Sequence, residues 1–280
     1  MLKDRILTAL VLIPLLLAVI IWLSTGRLAI FLGIIILVGG WEWSRLSGFA
    51  GVVPRLFYVG LLGVSMWYGY NWISQGDTIL YVLYFSFVWW LLVFAWLTVT
   101  PVEKMLSSMV NTYFCSLIGF ILLIPPWISL LWLHSLGSNG LYLLLSFFAL
   151  MWAVDSGAYF TGNLAGITKL APTISPGKSL EGVYGGLVAV IIVAFLLGCL
   201  LELNDIHLLQ FISLALLGGV FSVAGDLLES VAKRSSRLKD SGSIFPGHGG
   251  VMDRIDGLTA AAPLYVLALG WFPALIPDIQ

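Results

Sequence analysis

The chain has 280 residues, 60% of them hydrophobic and only 10% charged, with a net charge of −1. Soluble domains are typically about 45–50% apolar and about 25% charged, so this composition excludes an ordinary water-soluble domain. The near-zero net charge points to no acidic or basic partner, and no nucleic-acid partner is expected. Cys115 and Cys199 both lie inside apolar runs, which excludes a disulfide framework or a zinc site and leaves them as small packing residues.

Runs of near-continuous apolar residues, about twenty long, predict membrane-spanning helices. In chain order they cover 6–24, 28–43, 56–74, 78–100, 109–133, 140–161, 183–201, 208–228 and 257–276, giving an all-α polytopic membrane protein of about nine spans. The first run follows Met1-Leu-Lys-Asp-Arg and has the length of a full span with no small-x-small cleavage site after it. It is expected to be a retained first helix with Pro14 as a tolerated kink. The fifth contains Pro125-Pro126 and is open to being broken or re-entrant. Residues 1–137 would then form five N-terminal and middle spans, and 138–280 a catalytic region of four spans with loops 162–182 and 229–256.

With nine spans, one side of the membrane receives 1–5, 44–55, 101–108, 162–182 and 229–256, and these segments hold twelve of the thirteen Lys and Arg residues. The other side has only Arg27. Such asymmetry predicts a cytoplasmic N-terminus, an outer C-terminus and a site facing the cytoplasm from the inner membrane.

Ionisable residues inside spans suggest function, and three stand out: Glu42, Asp155 and Asp226. Glu42 reads as an interfacial residue paired with Arg45 at i,i+3. Asp155, in Trp152-Ala-Val-Asp-Ser-Gly-Ala-Tyr, lies deeper, beside small residues (Ser156, Gly157, Ala158) that permit close helix packing. The following loop reads Ser175-Pro-Gly-Lys-Ser-Leu-Glu-Gly182. Its hydroxyls and Lys178 suit phosphate, although its glycine spacing is not that of a Walker A loop.

Ten of the chain's twenty-seven charges fall between 226 and 256. If the eighth helix continues past the interface, Asp226, Glu229 and Lys233 share one face, with Arg234 and Arg237 beside them. Asp253 and Asp256 recur at i,i+3 where the ninth helix starts, and Pro246-Gly-His-Gly-Gly before them allows a tight turn with N–H groups free to approach an anion. Carboxylates suit Mg²⁺, which proteins usually hold through one or two of them plus substrate phosphates. Lys and Arg neutralise phosphate. A solvated positive-inside loop would account for the cations, but not for Asp226 in the membrane.

The stretch Ser230-x-x-Lys233-Arg234-x₄-Lys239-Asp240-x₅-Pro246-x-His248-Gly-Gly-x-x-Asp253-Arg254-x-Asp256 resembles the signature of the phosphatidate cytidylyltransferase (CDP-diacylglycerol synthase) family. Asp155-Ser-Gly-Ala-Tyr and Ser175-Pro-Gly-Lys-Ser-x-Glu-Gly are similar to its bacterial members, and Ala232 is smaller than the residue usual there. The resemblance implies that CTP and phosphatidate give CDP-diacylglycerol and pyrophosphate with Mg²⁺, a second cation and pairing of two copies being left open. On that basis Asp226, Asp253 and Asp256 are expected to bind the cation, and Lys233, Arg234, Lys239 and Arg254 to neutralise phosphates. Asp240 and His248 join the catalytic set, His248 as a base or a turn-stabilising residue. Ser175, Lys178, Ser179 and Glu229 are expected at the substrates, with Asp155 assisting the cation site or orienting Lys178. The rivals are a CTP-dependent polyprenol kinase, which would move the γ-phosphate, and a transporter, whose charges would gather at the midplane rather than at one face.

Overall fold

The computed structural model describes residues 2–72, 76–244, 249–272 and 275. Among these, each of the nine apolar runs falls in a long helix: α1 (Leu2–Trp22), α2 (Thr25–Leu46), α3 (Val52–Trp72), α4 (Gly76–Val99), α6 (Thr112–Ser135), α7 (Gly137–Ala165), α8 (Leu180–Leu200), α9 (Asp205–Ser235) and α10 (Met252–Trp271). A tenth, short helix, α5 (Val102–Met109), precedes α6. Six helices (α2, α4 over Ile79–Val99, α6, α7, α8 and α9) are long and apolar enough to cross a membrane. Large apolar side chains such as Tyr81, Leu92, Val188 and Leu196 point outward from α4 and α8. A surface of this kind requires lipid rather than water around it, and the protein is an all-α, multi-pass membrane protein.

Two local departures from the expected pattern matter for the site. The Pro125-Pro126 pair does not break α6, which is continuous through both. Both rings are buried among neighbouring helices, and Ser129 Oγ donates to the Pro125 carbonyl (2.7 Å). Tertiary packing therefore outweighs the two missing N–H donors. The loop after α7 is also not wholly irregular. Strand β1 (Lys169–Ala171) pairs antiparallel with β2 (Ser175–Ser179). Glu181 in the first turn of α8 holds the base of this hairpin by accepting from the N–H groups of Ile167 (3.2 Å) and Thr168 (3.1 Å).

Glycines set how closely the site's helices approach. On α7, a Cβ at Gly157 would sit 2.7 Å from the Gly185 carbonyl and 3.1 Å from Gly186 Cα on α8. Small residues beside Asp155 thus permit the tight packing the sequence suggests. Similarly, a Cβ at Gly225 on α9 would collide with the Asp256 carbonyl on α10. The Gly225 contact brings the backbone of Asp256 directly against the turn that carries Asp226.

Candidate active site

Helix α9 has 31 residues, so at about 1.5 Å per residue it is about 46 Å long, against a hydrocarbon thickness of about 30 Å. The helix is therefore longer than the bilayer core is thick, and Asp226, Glu229 and Lys233 lie along one face of its last turns. Asn204 caps its start by accepting from His207 N–H (2.9 Å). At its end the Leu238 N–H donates to the Lys233 carbonyl (2.8 Å), and Arg237 takes the left-handed conformation (φ 58°) that turns the chain back.

Three carboxylates meet where α9 crosses α10. Asp226, Glu229 and Asp256 each offer an oxygen within 4.8 Å of the others. Glu229 is fully buried, and among the described residues no donor other than Lys233 reaches its carboxylate oxygens. Lys233 Nζ lies 2.5 Å from Glu229 Oε2 as an ion pair. A buried carboxylate lacking donors is costly in isolation. Asp226 is paired with Lys178, and Asp256 accepts from Gly257 N–H (2.8 Å), but three clustered carboxylates with hard oxygens suit a divalent cation, so the residues present fit a metal.

Asp253 lies elsewhere. One of its oxygens accepts from Lys233 Nζ (2.6 Å), and the other from the N–H groups of Ser241 (2.9 Å) and Gly250 (2.8 Å) and from Ser241 Oγ (2.9 Å). It sits ahead of the apolar run of α10. Burial works against its charge there, but Lys233 and these N–H donors prevail and hold the carboxyl below the ordinary carboxylate range. The structure thus groups Glu229, not Asp253, with Asp226 and Asp256. Spacing alone could not distinguish the two, because Glu229 and Asp253 lie on different helices and only the α9–α10 crossing decides which faces the cluster.

On the opposite wall Lys178 of β2 forms an ion pair with Asp226. Both border a cavity of about 300 Å³ that Asp155 and Asn163 also line, with an apolar wall from Val154, Val183 and Leu187. Asp155 therefore faces the same space as Lys178. Ser179 also borders the cavity, and its hydroxyl caps α8 by accepting from Gly182 N–H (3.1 Å). Ser175 is half-buried at the start of β2.

The remaining basic residues divide. Arg234 Nε donates to the Ile174 carbonyl (3.0 Å) and Nη1 to the Leu238 carbonyl (3.1 Å), tying the hairpin turn to the end of α9. Lys239, Asp240 and Arg254 are exposed at the rim. His248 and Pro246 lie outside the described residues. Beside that turn three N–H groups are already engaged: Gly250 donates to Asp253, and Val251 and Met252 donate to Glu42.

Glu42 is the residue that sequence reasoning underrated. Its carboxylate is buried and turned toward the 241–252 segment instead of Arg45, which is exposed. The available signal was its position as a carboxylate within an apolar run, which a nearby arginine made easy to dismiss.

A sequence profile of the cytidylyltransferase family matches residues 3–272. The phosphatidate cytidylyltransferase of Pseudomonas aeruginosa is 38% identical over 279 residues, spanning 97% of this chain and 99% of the relative. That of Haemophilus influenzae is 38% identical over 281 residues, spanning 95% and 97%. The Bacillus subtilis enzyme of the same name is 36% identical over 167 residues, spanning 58% and 62%.

Proposed function

The chain belongs to the cytidylyltransferase family, and from that premise we propose that it transfers the cytidylyl group of CTP to phosphatidate, giving CDP-diacylglycerol and pyrophosphate. In this reaction a phosphatidate oxygen forms a bond to the α-phosphorus of CTP as the bond to the β-phosphate oxygen breaks. The phosphatidate phosphate is already largely ionised near neutral pH, so the step needs no general base. The observation that carries the reading is the Lys178–Asp226 pair set beside two further carboxylates, on a cavity whose other wall is apolar. One end of that space suits phosphates and a cation, and the other suits a lipid.

In this reading Asp226, Glu229 and Asp256 hold Mg²⁺, and Asp253 positions Lys233 rather than serving as a ligand. Bound there, Mg²⁺ would neutralise charge on the reacting phosphates and the leaving pyrophosphate. Lys178 holds a phosphate from the hairpin side, helped by Ser175 and by the Ser179 hydroxyl, which can still donate while its oxygen caps α8. Asp155 keeps Lys178 directed into the cavity. Arg234 acts through the hairpin backbone, while Lys239 and Arg254 at the rim attract the anionic substrates over a longer range. All of these groups lie from residue 138 onward, on α7, α9 and α10, on the hairpin, and in the loop after α9.

We further propose that all nine long helices cross the bacterial inner membrane, with the N-terminus and the site on the cytoplasmic side, where CTP is found. The bacterial relatives and the one-sided placement of the basic residues support this.

The decisive assay uses detergent-purified protein, phosphatidate, Mg²⁺ and CTP labelled at either the α- or the γ-phosphate. The expected outcome is α-label in the lipid with release of pyrophosphate. Label entering from the γ-position would indicate a lipid kinase. No transfer by protein shown to be folded would overturn the reading altogether.

A further inference from the structure

Helix α10 begins without a cap of its own. Its N-cap residue, Val251, has helical backbone angles and makes no side-chain capping bond. The first N–H groups of any helix lack intrahelical partners, and a helix start buried without substitutes is unfavourable. Here the substitute comes from more than two hundred residues away. Glu42 Oε1 accepts from Val251 N–H (3.1 Å), and Oε2 accepts from Met252 N–H (2.8 Å) and from Ser241 Oγ (2.9 Å). A negative carboxylate at a helix N-terminus also gains from the aligned peptide dipoles, which helps to explain why a charge only 3% exposed is tolerated with neutral donors around it.

The surrounding sequence is fitted to this carboxylate. A Cβ at Gly242 would collide with Glu42 Oε1, and one at Gly250 with both Glu42 oxygens and Ser241 Oγ. Only residues without a side chain allow the loop to close on Glu42 from both sides. The contact then continues toward the chemistry. Ser241 Oγ lies 2.9 Å from both Glu42 Oε2 and Asp253 Oδ2, so its single proton is shared between the two carboxylates. Asp253 accepts from Lys233, and Lys233 faces Glu229 of the carboxylate cluster.

We infer that Glu42 is a positioning residue for the reaction: from α2 it supplies the cap that α10 lacks, and through Ser241 and Asp253 it fixes Lys233 and Asp256 relative to Asp226 and Glu229. It touches no reacting atom. The inference rests on the proposed cation-binding role of the cluster. It also makes the N-terminal helices part of the active site rather than only a membrane scaffold.

The test compares Glu42→Gln with Trp43→Phe in the full-length protein in detergent. Trp43 is its chain neighbour on α2, fully buried, and its Nε1 donates to the Cys115 carbonyl (2.8 Å), away from the site. Three quantities are measured: melting temperature, Mn²⁺ affinity by calorimetry without substrates, and hydrogen exchange in peptides spanning 249–256. Supporting residues behind a metal site typically change affinity or activity by about 10–100-fold. Glu42→Gln should therefore weaken Mn²⁺ binding by roughly tenfold or more and accelerate exchange at Val251 and Met252. Turnover should fall by a similar factor, while KM for CTP changes little. Trp43→Phe should lower the melting temperature without altering Mn²⁺ affinity or exchange at 249–256. Equal Mn²⁺ affinities in Glu42→Gln and the parent would overturn the inference, as would an equal loss in both variants. If Glu42→Gln does not purify folded, Ser241→Ala takes its place, because it removes the shared hydroxyl but leaves the cap; unchanged Mn²⁺ affinity there has the same consequence. A parent protein that neither binds Mn²⁺ nor needs a divalent cation would instead sink the cation reading. In that case the exchange data alone judge the cap, and unaltered exchange at Val251 and Met252 would remove it.

Discussion

Two lysines approach the carboxylate cluster from opposite sides, and they differ in almost every physical respect. Lys178 comes from a two-stranded hairpin, has a side chain 25% exposed, and pairs with Asp226, which is 35% exposed. Lys233 sits within α9, is 12% exposed, and lies between Glu229 and Asp253, which are 0% and 8% exposed. The first borders a cavity and can exchange its carboxylate partner for a phosphate, since water can solvate whichever group is released. The second is enclosed by two anions that, among the described residues, have no other cation in contact. In the proposed reading the same residue type serves substrate in one place and holds the site together in the other, and burial decides which.

Breaking the cluster itself should have the largest effect. Asp226→Ala is expected to reduce kcat by at least about 10³-fold while the protein remains folded in detergent, as judged by gel filtration and thermal melting. Near-normal turnover would remove Asp226 from the cation site. The contrast between the lysines is sharpened by methionine at each position, which keeps the aliphatic length and deletes the charge. Lys233→Met leaves the buried Glu229 unpartnered and takes the cation from Asp253, and should cost about 3–5 kcal/mol of stability, visible as a large fall in melting temperature that accompanies the loss of activity. Lys178→Met should reduce kcat/KM by about 10²-fold with a stability change under about 1 kcal/mol, because its partner is solvated. The comparison fails if the two variants lose stability equally. The smallest effect is expected at the rim. Lys239→Ala should lower kcat/KM by about threefold or less at low salt, and the difference should vanish as ionic strength rises. A salt-independent loss would mean that Lys239 contacts the phosphates directly.

Much of this architecture could be read from the sequence because hydrocarbon imposes simple demands. The described part of each of the nine apolar runs falls mainly in a long helix, as expected where a chain in lipid must satisfy its backbone internally. The continuation of α9 beyond its apolar part was legible from the i, i+3, i+7 spacing of Asp226, Glu229 and Lys233, and the start of α10 from Asp253 and Asp256. Breaks were harder to foresee. Pro125-Pro126 suggested an interruption that buried packing overrides, and the hairpin at 169–179 carries too few residues for any periodicity to show.

By itself, the sequence determined a membrane-embedded helical chain, the gathering of its charges at 226–256, and the residue types suited to phosphate and a cation, because these depend on composition and local spacing. Only the tertiary structure decided which carboxylates share a centre. Glu229 faces Asp226 and Asp256 because Gly225 lets α9 and α10 touch, whereas Asp253, on the same helix as Asp256, turns toward Lys233 and Ser241. Glu42 joins that network across some two hundred residues of chain. Partners on separate helices have no fixed sequence separation, so no pattern in the chain could have paired them.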